Sequence, residues 1–208
     1  MVACSPSEAR ELEVAGIKAL MIQNGIAPVP RCESKKNCAP WKIIAVGRAT
    51  AQKNPALFNR IAEAFADRKE FEFIWIGDGE LRGQLSSPNI QVMGWKSQQE
   101  VLVKLREAHL YLSTSLWEGL PLSGLEAMSS GLPLLLRRCV GNVDLIQRGN
   151  GNLFENAADA IRQIPEMLLS PDHLKAMGEA SRRASDEYFS LDKMTQGFGA
   201  LYLNLANR

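Results

Sequence analysis

Residues 41–79 read WKIIAVGRATAQKNPALFNRIAEAFADRKEFEFIWIGDG, in which two apolar runs enclose a helical stretch. The apolar runs at 42–46 and 72–76 each end at a glycine, as buried strands often do. Residues 55–66 between them have a helical apolar period and a proline at the first position. Two strands joined by a helix make a parallel βαβ unit, so this stretch predicts a parallel α/β sheet.

The same alternation continues beyond this unit toward the C-terminus. Predicted strands cover 42–46, 72–76, 90–93, 110–113, 133–136 and 152–154, and predicted helices cover 55–66, 80–85, 98–107, 122–130, 157–169, 171–187 and 191–205. Repeated strand and helix units predict a Rossmann-like, doubly wound parallel sheet with a helical C-terminal tail.

The first forty residues follow a different pattern. A short apolar run, a predicted helix at 6–14 and a predicted strand at 19–23 lead into a stretch rich in Pro, Lys and Cys. We therefore expect residues 1–40 to be the remnant of a preceding N-terminal domain and an interdomain linker, 41–189 the Rossmann-like domain, and 190–208 a C-terminal helix. The apolar stripe of that last helix requires a partner surface, on this domain or on another.

Composition excludes several classes of protein. The 208 residues are 46% hydrophobic, and 24 Lys and Arg nearly balance 23 Asp and Glu, so a nucleic-acid partner is not expected. The sequence has no membrane-spanning run and no signal peptide, which predicts a cytoplasmic protein. We expect free thiols at the four cysteines, Cys4, Cys32, Cys38 and Cys139, because the one close pair has the wrong spacing for zinc and no nearby His.

Polar residues collect just after the predicted strands, where open parallel sheets bind ligands. Arg48 and Lys53 follow the first strand, and two cations in one loop suit a diphosphate, although they are also compatible with solvated loop charges. Trp95 and Lys96 follow the third strand, where a planar base has room to lie against the chain. Trp95 is equally compatible with a packing role.

The stretch at 117–128, WEGLPLSGLEAM, carries two carboxylates around a helix start. Glu118 is expected in the loop and Glu126 about one turn inside the helix, because glycine and proline separate them. Backbone N–H groups at Gly119, Leu120 and Leu122, together with the helix dipole, favour phosphate or sugar oxygens. Taken alone, the two glutamates are compatible with ordinary solvated residues; their place after the fourth strand, across from the Arg/Lys loop, favours a nucleotide-sugar site.

Other nucleotide and hydrolase motifs are missing from the sequence. It has no GxxxxGK[ST] loop, no GxGxxG after a strand and no GxSxG elbow, so an ATPase, a dinucleotide oxidoreductase and a serine hydrolase have no support. His109 begins a predicted strand and is interpreted as structural, because it has no identifiable triad partner.

Four motifs, in order, resemble the donor-binding domain of glycosyltransferase family 4. They are Gly47-Arg48 through Lys53, GDGELR at 77–82, Gly94-Trp95, and the stretch from Glu118-Gly119-Leu120-Pro121 to Pro133. The resemblance implies a GT-B enzyme, in which two Rossmann-like domains face each other and the C-terminal one binds the nucleotide sugar. It also implies a retaining, metal-independent transferase with no cofactor beyond a donor of UDP or GDP type.

The resemblance implies a role for each matching residue. Arg48 and Lys53 would bind the donor diphosphate, and Glu126 would accept from the ribose hydroxyls. Glu118 would contact the transferred sugar as the catalytic residue. The remaining contacts would be made by the backbone of Gly119, Leu120 and Leu122, to sugar and phosphate, and by the segment Trp95-Lys96, along the base.

The sequence departs from the family pattern in two respects. Pro121 stands where many members have glycine, and it removes one N–H donor. The acceptor-binding N-terminal domain is also missing from the sequence, so this chain is expected to be inactive alone, and its last helix would cross back to that domain. A glycan or lipid-linked acceptor, peripheral association with the inner face of a membrane and a role in polysaccharide biosynthesis are expected of the whole enzyme. A GT-B nucleotide-sugar epimerase and a non-catalytic nucleotide-sugar-binding module are the alternatives.

Overall fold

A computed structural model of the chain describes residues 1–30, 38–147 and 149–207. The elements in chain order are β1 (Val2–Ala3), α1 (Pro6–Val14), β2 (Leu20–Met21), β3 (Trp41–Val46), α2 (Pro55–Glu63), β4 (Phe71–Ile76), a 3-10 helix (Arg82–Gln84), β5 (Ile90–Val92), α3 (Gln98–Glu107), β6 (Leu110–Ser113), α4 (Leu122–Ser129), β7 (Leu134–Arg137), α5 (Asn142–Leu145), β8 (Gly151–Phe154), α6 (Ala157–Leu168), α7 (Pro171–Tyr188) and α8 (Leu191–Ala206). All of the predicted strands from residue 41 onward are present.

The main sheet has six parallel strands in the order β5-β4-β3-β6-β7-β8. The chain moves outward from β3 in one direction, returns to pair β6 beside β3, and then moves outward in the other direction. After β3 and β6 the chain therefore passes to opposite faces of the sheet, and this topological switch point opens a crevice at the carboxyl edge of the sheet. The predicted doubly wound parallel sheet is confirmed.

Apolar residues on both faces of the sheet form two cores. The first core packs α2 and α6 on one face, around Phe58, Phe73 and Trp75. The second packs α3 and α4 on the other face, around Leu105 and Leu125. Strands buried on both faces are continuous hydrophobic runs instead of alternating ones, which is why the sequence pattern identified them.

Some predicted boundaries were wrong. The stretch at 80–85 forms a three-residue 3-10 helix, because two glycines weaken helix formation there and the backbone at 78–81 bonds to Ala49 instead. The second N-terminal strand is only two residues long, since β1 has only two residues to pair with it. The four-residue helix α5 was not predicted, because it is too short to show a helical period.

Residues 1–30 and α8 lie against each other and against the main domain. Gly25 N–H points to Met194 Sδ at 3.3 Å, and the backbone of Ile26 bonds with Phe189 and Leu191. No residue of α8 is buried within the described part of the chain, and Tyr202 is 64% exposed. The predicted passage of this helix to an N-terminal domain stays a prediction. Among the helices that the structure describes, none combines the length and apolarity needed to cross a bilayer.

Candidate functional site

The loops after β3 and β6 meet at the switch point and are joined by hydrogen bonds. Leu116 N–H donates to Gln52 O at 2.8 Å, and the Thr114 hydroxyl donates to Lys53 O at 2.8 Å. The Gln52 side-chain amide in turn donates to Trp117 O at 3.0 Å. These bonds bring together two loops that are about sixty residues apart in the sequence. They fix the position of each loop at the crevice.

The central contact of the crevice is an ion pair between Lys53 and Glu118. Lys53 Nζ lies 2.5 Å from Glu118 Oε1, and the two side chains are only 19% and 7% exposed. Glu118 N–H donates to Val140 O at 3.1 Å, which fixes the backbone beneath the carboxylate. Salt screens a partly buried pair only weakly, so the attraction between the two charges persists at physiological ionic strength and keeps the side chains together.

Glycine 47 lets the Lys53 side chain reach this position. A Cβ added to Gly47 would lie 2.9 Å from Lys53 Cε, so the lysine runs directly over the glycine backbone. Arg48 is exposed and makes no ion pair with any residue that the structure describes. Its charge is therefore available at the mouth of the crevice.

The turn after β4 packs against the loop after β3. Gly77 approaches Gly47 so closely that a Cβ at Gly77 would lie 2.1 Å from Gly47 O. Trp75 Nε1 also donates to Gly47 O at 3.1 Å. Asp78 accepts from Gly79 N–H at 2.8 Å, which lowers the pKa of this partly exposed carboxyl, and it does not cap the 3-10 helix that follows. The base of the Arg/Lys loop is thus fixed by the backbone of Gly77 and by the Trp75 side chain.

Helix α4 begins at Leu122 and carries Glu126 on its crevice side. Leu122 is 54% exposed, and its backbone N–H, like those of any first helical turn, has no acceptor within the helix. Glu126 Oε1 accepts from Gln98 Nε2 at 3.2 Å. Partial burial raises the pKa of Glu126 while the Gln98 hydrogen bond opposes this, so the half-buried carboxylate ionises less readily than an exposed one.

Gly119 and Leu120 face the N-terminal segment. Cys4 Sγ lies against Gly119, where an added Cβ would be only 2.7 Å from the sulfur. Asn24 Nδ2 donates to Leu120 O at 3.0 Å, and Leu120 is 4% exposed. Burial is the main cause that raises the pKa of Cys4 to about 12. Of the three predicted backbone contacts, Leu122 is the one with an exposed side chain.

Trp95 and Lys96 lie near Glu126 through the start of α3. Trp95 is 66% exposed, and Lys96 pairs with Glu100 at 3.2 Å. Gln98, two residues further on, donates the hydrogen bond that Glu126 accepts. The predicted base region thus lies two residues before the hydrogen-bond partner of the predicted ribose residue, while a concavity of about 340 Å³ that Lys96 helps to line lies along the outer face of α3.

The described residues include no metal centre and no disulfide. In the ranges 1–30, 38–147 and 149–207, no three His, Cys, Asp or Glu side chains lie together so as to hold a metal ion. Cys4, Cys38 and Cys139 are free thiols, and Cys32 lies outside the described residues. His109 accepts from Lys42 N–H at 3.0 Å and stacks edge-on with Trp41, so its interpretation as structural is confirmed.

Comparison with known sequences identifies the family. A profile of the family described as Glycosyl transferases group 1 matches residues 40–170, which is more than half of the chain. The chain belongs to the group 1 glycosyl transferases. Its sequence also resembles several curated proteins, and its fold resembles several solved structures.

Two sequence relatives of this glycosyl transferase chain come from Escherichia coli. The O-antigen biosynthesis glycosyltransferase WbnH is 34% identical over 162 residues, which cover 74% of the chain and 45% of the relative. The UDP-Gal:alpha-D-GlcNAc-diphosphoundecaprenol alpha-1,3-galactosyltransferase is 27% identical and matches 94% of the chain and 57% of its own length. The chain thus spans about half the length of these relatives.

Two solved structures support the fold of the glycosyl transferase chain. Staphylococcus aureus TarM, in a complex that contains UDP, superposes with a TM-score of 0.86 at 20% identity, over 100% of this chain and 43% of that chain. Anabaena Alr3699/HepE, in complex with UDP and glucose, gives 0.82 at 16% identity, over 98% of this chain and 62% of that chain. At these identities the likeness establishes the Rossmann-like fold of GT-B proteins.

Sequence reasoning missed several residues of the candidate site. Gln52 joins the two loops and also lies 3.5 Å from Glu118 Oε2, and Gln98 is the partner of Glu126. Gln52 is adjacent to Lys53 in the sequence and Gln98 is two residues from Lys96, and this proximity is the only signal that could have identified them. Ser7 and Asp144 lie outside the crevice, and nothing local indicated their contact, because it joins residues 137 positions apart.

Proposed function

We propose that this chain forms the donor-binding half of a retaining glycosyltransferase of family 4. It would hold a nucleotide-diphosphate sugar, of UDP or GDP type, for transfer of the sugar to a glycan or lipid-linked acceptor. The observation that carries this proposal is the Lys53 to Glu118 ion pair at the switch point, flanked by exposed Arg48 and the start of α4. The two cations, Lys53 and Arg48, can bind a diphosphate, and the Glu118 carboxylate beside them can accept hydrogen bonds from sugar hydroxyls.

The ion pair suggests how a donor would enter. The diphosphate would compete with Glu118 for Lys53, with Arg48 and the positive end of α4 supplying further attraction. Glu118, freed from the lysine, would then accept hydrogen bonds from the sugar. When the bond between the sugar C1 and the β-phosphate oxygen breaks, the same cations would stabilise the leaving diphosphate without a metal ion.

The rest of the donor would lie along α4 toward α3. Glu126, half-buried and next to Gln98, would accept from the ribose hydroxyls. Trp95 and Lys96, two residues before that glutamine, would border the base. The backbone at Gly119, Leu120 and Leu122 would complete the contacts to sugar and phosphate, and exposed Leu122 is the best placed of the three.

A titration with nucleotides tests the donor site directly. We expect the 208-residue chain to bind UDP or GDP, and each of Arg48→Ala, Lys53→Ala and Glu126→Ala to weaken this binding. Loss of either cation should cost about 1 to 3 kcal/mol, the range of charge-assisted hydrogen bonds. Calorimetry with UDP, GDP and ADP provides the measurement, and Lys104→Ala on the outer part of α3 is the matched control. If binding survives all three changes undiminished, the site is misassigned; if EDTA weakens binding, the proposal of metal independence is wrong.

Transfer tests the enzymatic part of the proposal. We propose that a second domain binds the acceptor, so the chain alone should transfer no sugar, whereas its fusion to the N-terminal domain of a relative should transfer it. The galactosyltransferase relative is named for an alpha-1,3 product and an undecaprenol-linked acceptor, which supports retention and a membrane-associated acceptor. NMR of the product should show the anomeric configuration of the donor, with EDTA present. Nucleotide binding without transfer by any such fusion would favour a non-catalytic binding module.

A further inference from the structure

The turn after β7 supports Glu118 from below. Val140 O accepts from Glu118 N–H at 3.1 Å. Gly141, at φ +80, packs so tightly that an added Cβ would lie 2.4 Å from Gly119 O and 2.9 Å from Glu118 Cβ. The turn at 139–141 and the backbone at 118–119 are therefore in direct van der Waals contact, and a shift of the turn must shift the carboxylate.

Ser7 of the N-terminal segment fixes the turn at 139–141. Gly141 N–H donates to Ser7 Oγ at 2.8 Å, and the Ser7 hydroxyl donates a short hydrogen bond to Asp144 Oδ2. Ser7 N–H donates to the same carboxylate oxygen at 3.1 Å. A hydroxyl has one proton, so its bond to Asp144 leaves its lone pairs to accept from Gly141. Ser7 is 6% exposed, which makes the arrangement costly to leave incomplete.

The opposite side of the Glu118 loop is also fixed by the N-terminal segment. Cys4 Sγ contacts Gly119, and Asn24 Nδ2 donates to Leu120 O at 3.0 Å. Residues 118–120 are thus enclosed between the turn at 139–141 and the segment at 4–24. The Glu118 carboxylate adds to burial in raising the pKa of Cys139 to about 11, which reflects how near the turn lies to the charge.

We infer that Ser7 and Asp144 are positioning residues for Glu118. They touch the Glu118 backbone only through Val140 and Gly141, and neither reaches the crevice itself. Their role is to fix the carboxylate where the sugar of the donor would be held, which rests on the proposed function.

The experiment compares donors with and without the sugar. We measure the dissociation constants of each nucleoside diphosphate and of its sugar nucleotides for wild type, Ser7→Ala, Asp144→Asn and Ser7→Thr. The pairs are UDP with UDP-galactose, UDP with UDP-glucose, and GDP with GDP-mannose. We expect Ser7→Ala and Asp144→Asn to reduce the preference for the sugar nucleotide over its diphosphate by about 5- to 10-fold, as for coupled sites, with diphosphate affinity changed less than about 2-fold. Ser7→Thr keeps the hydroxyl and should keep the preference. Adding Ser7→Ala to Glu118→Gln should change the preference no further.

The controls separate positioning from stability. Ser181→Ala removes another buried serine hydroxyl, one that donates to Asn150 O at 3.3 Å at the other end of β7, and should leave the preference unchanged. Equal losses of diphosphate and sugar nucleotide in Ser7→Ala would show a merely structural role and overturn the inference. If wild type binds no nucleotide, the proposed function fails, and amide hydrogen exchange still decides this inference. Asp144→Asn should speed exchange at Glu118 N–H, and unchanged exchange there would overturn it.

Discussion

Gly77→Ala is expected to lower the free energy of unfolding by about 3 kcal/mol, the upper end of the cost of overpacking. The added Cβ would lie 2.1 Å from Gly47 O and 2.8 Å from Gly47 C. Both contacts are with backbone, so no side-chain rotation can relieve them. Gly77 also has φ +132, a conformation that side chains with a Cβ rarely adopt, and this adds strain.

Chemical denaturation of the variant and the wild type measures this effect. Gly83→Ala is the matched control, because an added Cβ there meets no atom within 4 Å and the backbone is unstrained. The control should change stability by less than about 0.5 kcal/mol. The Gly77 variant should also bind UDP more weakly, since Gly47 begins the loop of Arg48 and Lys53. If the two variants were equally stable, the backbone contact between Gly77 after β4 and Gly47 after β3 would not be a tight one, and the prediction would be wrong.

The fold was predictable from sequence because the signals for its strands are local. Apolar runs such as those of β3 and β4 are short, continuous and closed by glycine, so each identifies itself without knowledge of its neighbours. The 3-10 helix at Arg82–Gln84 was misjudged because its form depends on backbone bonds to Ala49, some thirty residues earlier. Local pattern fails where a distant loop supplies the hydrogen bonds.

The site was predictable only in part for a similar reason. Lys53 and Glu118 were assigned separate ligand groups, one to phosphate and one to sugar, and nothing local indicates that they bond to each other across the crevice. The same holds for Glu126 with Gln98 and for Gly119 with Cys4. A strand end shows where a side chain emerges from the sheet, but its partner is set by the path of another loop.

Glu118→Gln is expected to change the affinities for nucleotide and nucleotide sugar in opposite directions. In the wild type the Glu118 carboxylate pairs with Lys53 at 2.5 Å, so a diphosphate must displace the carboxylate before the diphosphate can bind the lysine. Removal of the negative charge releases Lys53 and removes repulsion between the carboxylate and the phosphates. We expect UDP to bind about 10-fold more tightly, a gain of about 1.4 kcal/mol.

The sugar nucleotide should bind more weakly after the same change. A glutamine replaces charge-assisted hydrogen bonds to the sugar hydroxyls with neutral ones, which are about half as strong. The preference for UDP-sugar over UDP should therefore fall by more than the gain in UDP affinity, and calorimetry with both ligands measures it. Glu63→Gln, an exposed change at the end of α2, is the control and should alter neither affinity. Equal weakening of the binding of both ligands would mean that Glu118 only supports the loop. Opposite shifts in the two affinities would mean that Glu118 pairs with Lys53 in the absence of the donor and binds the sugar in its presence.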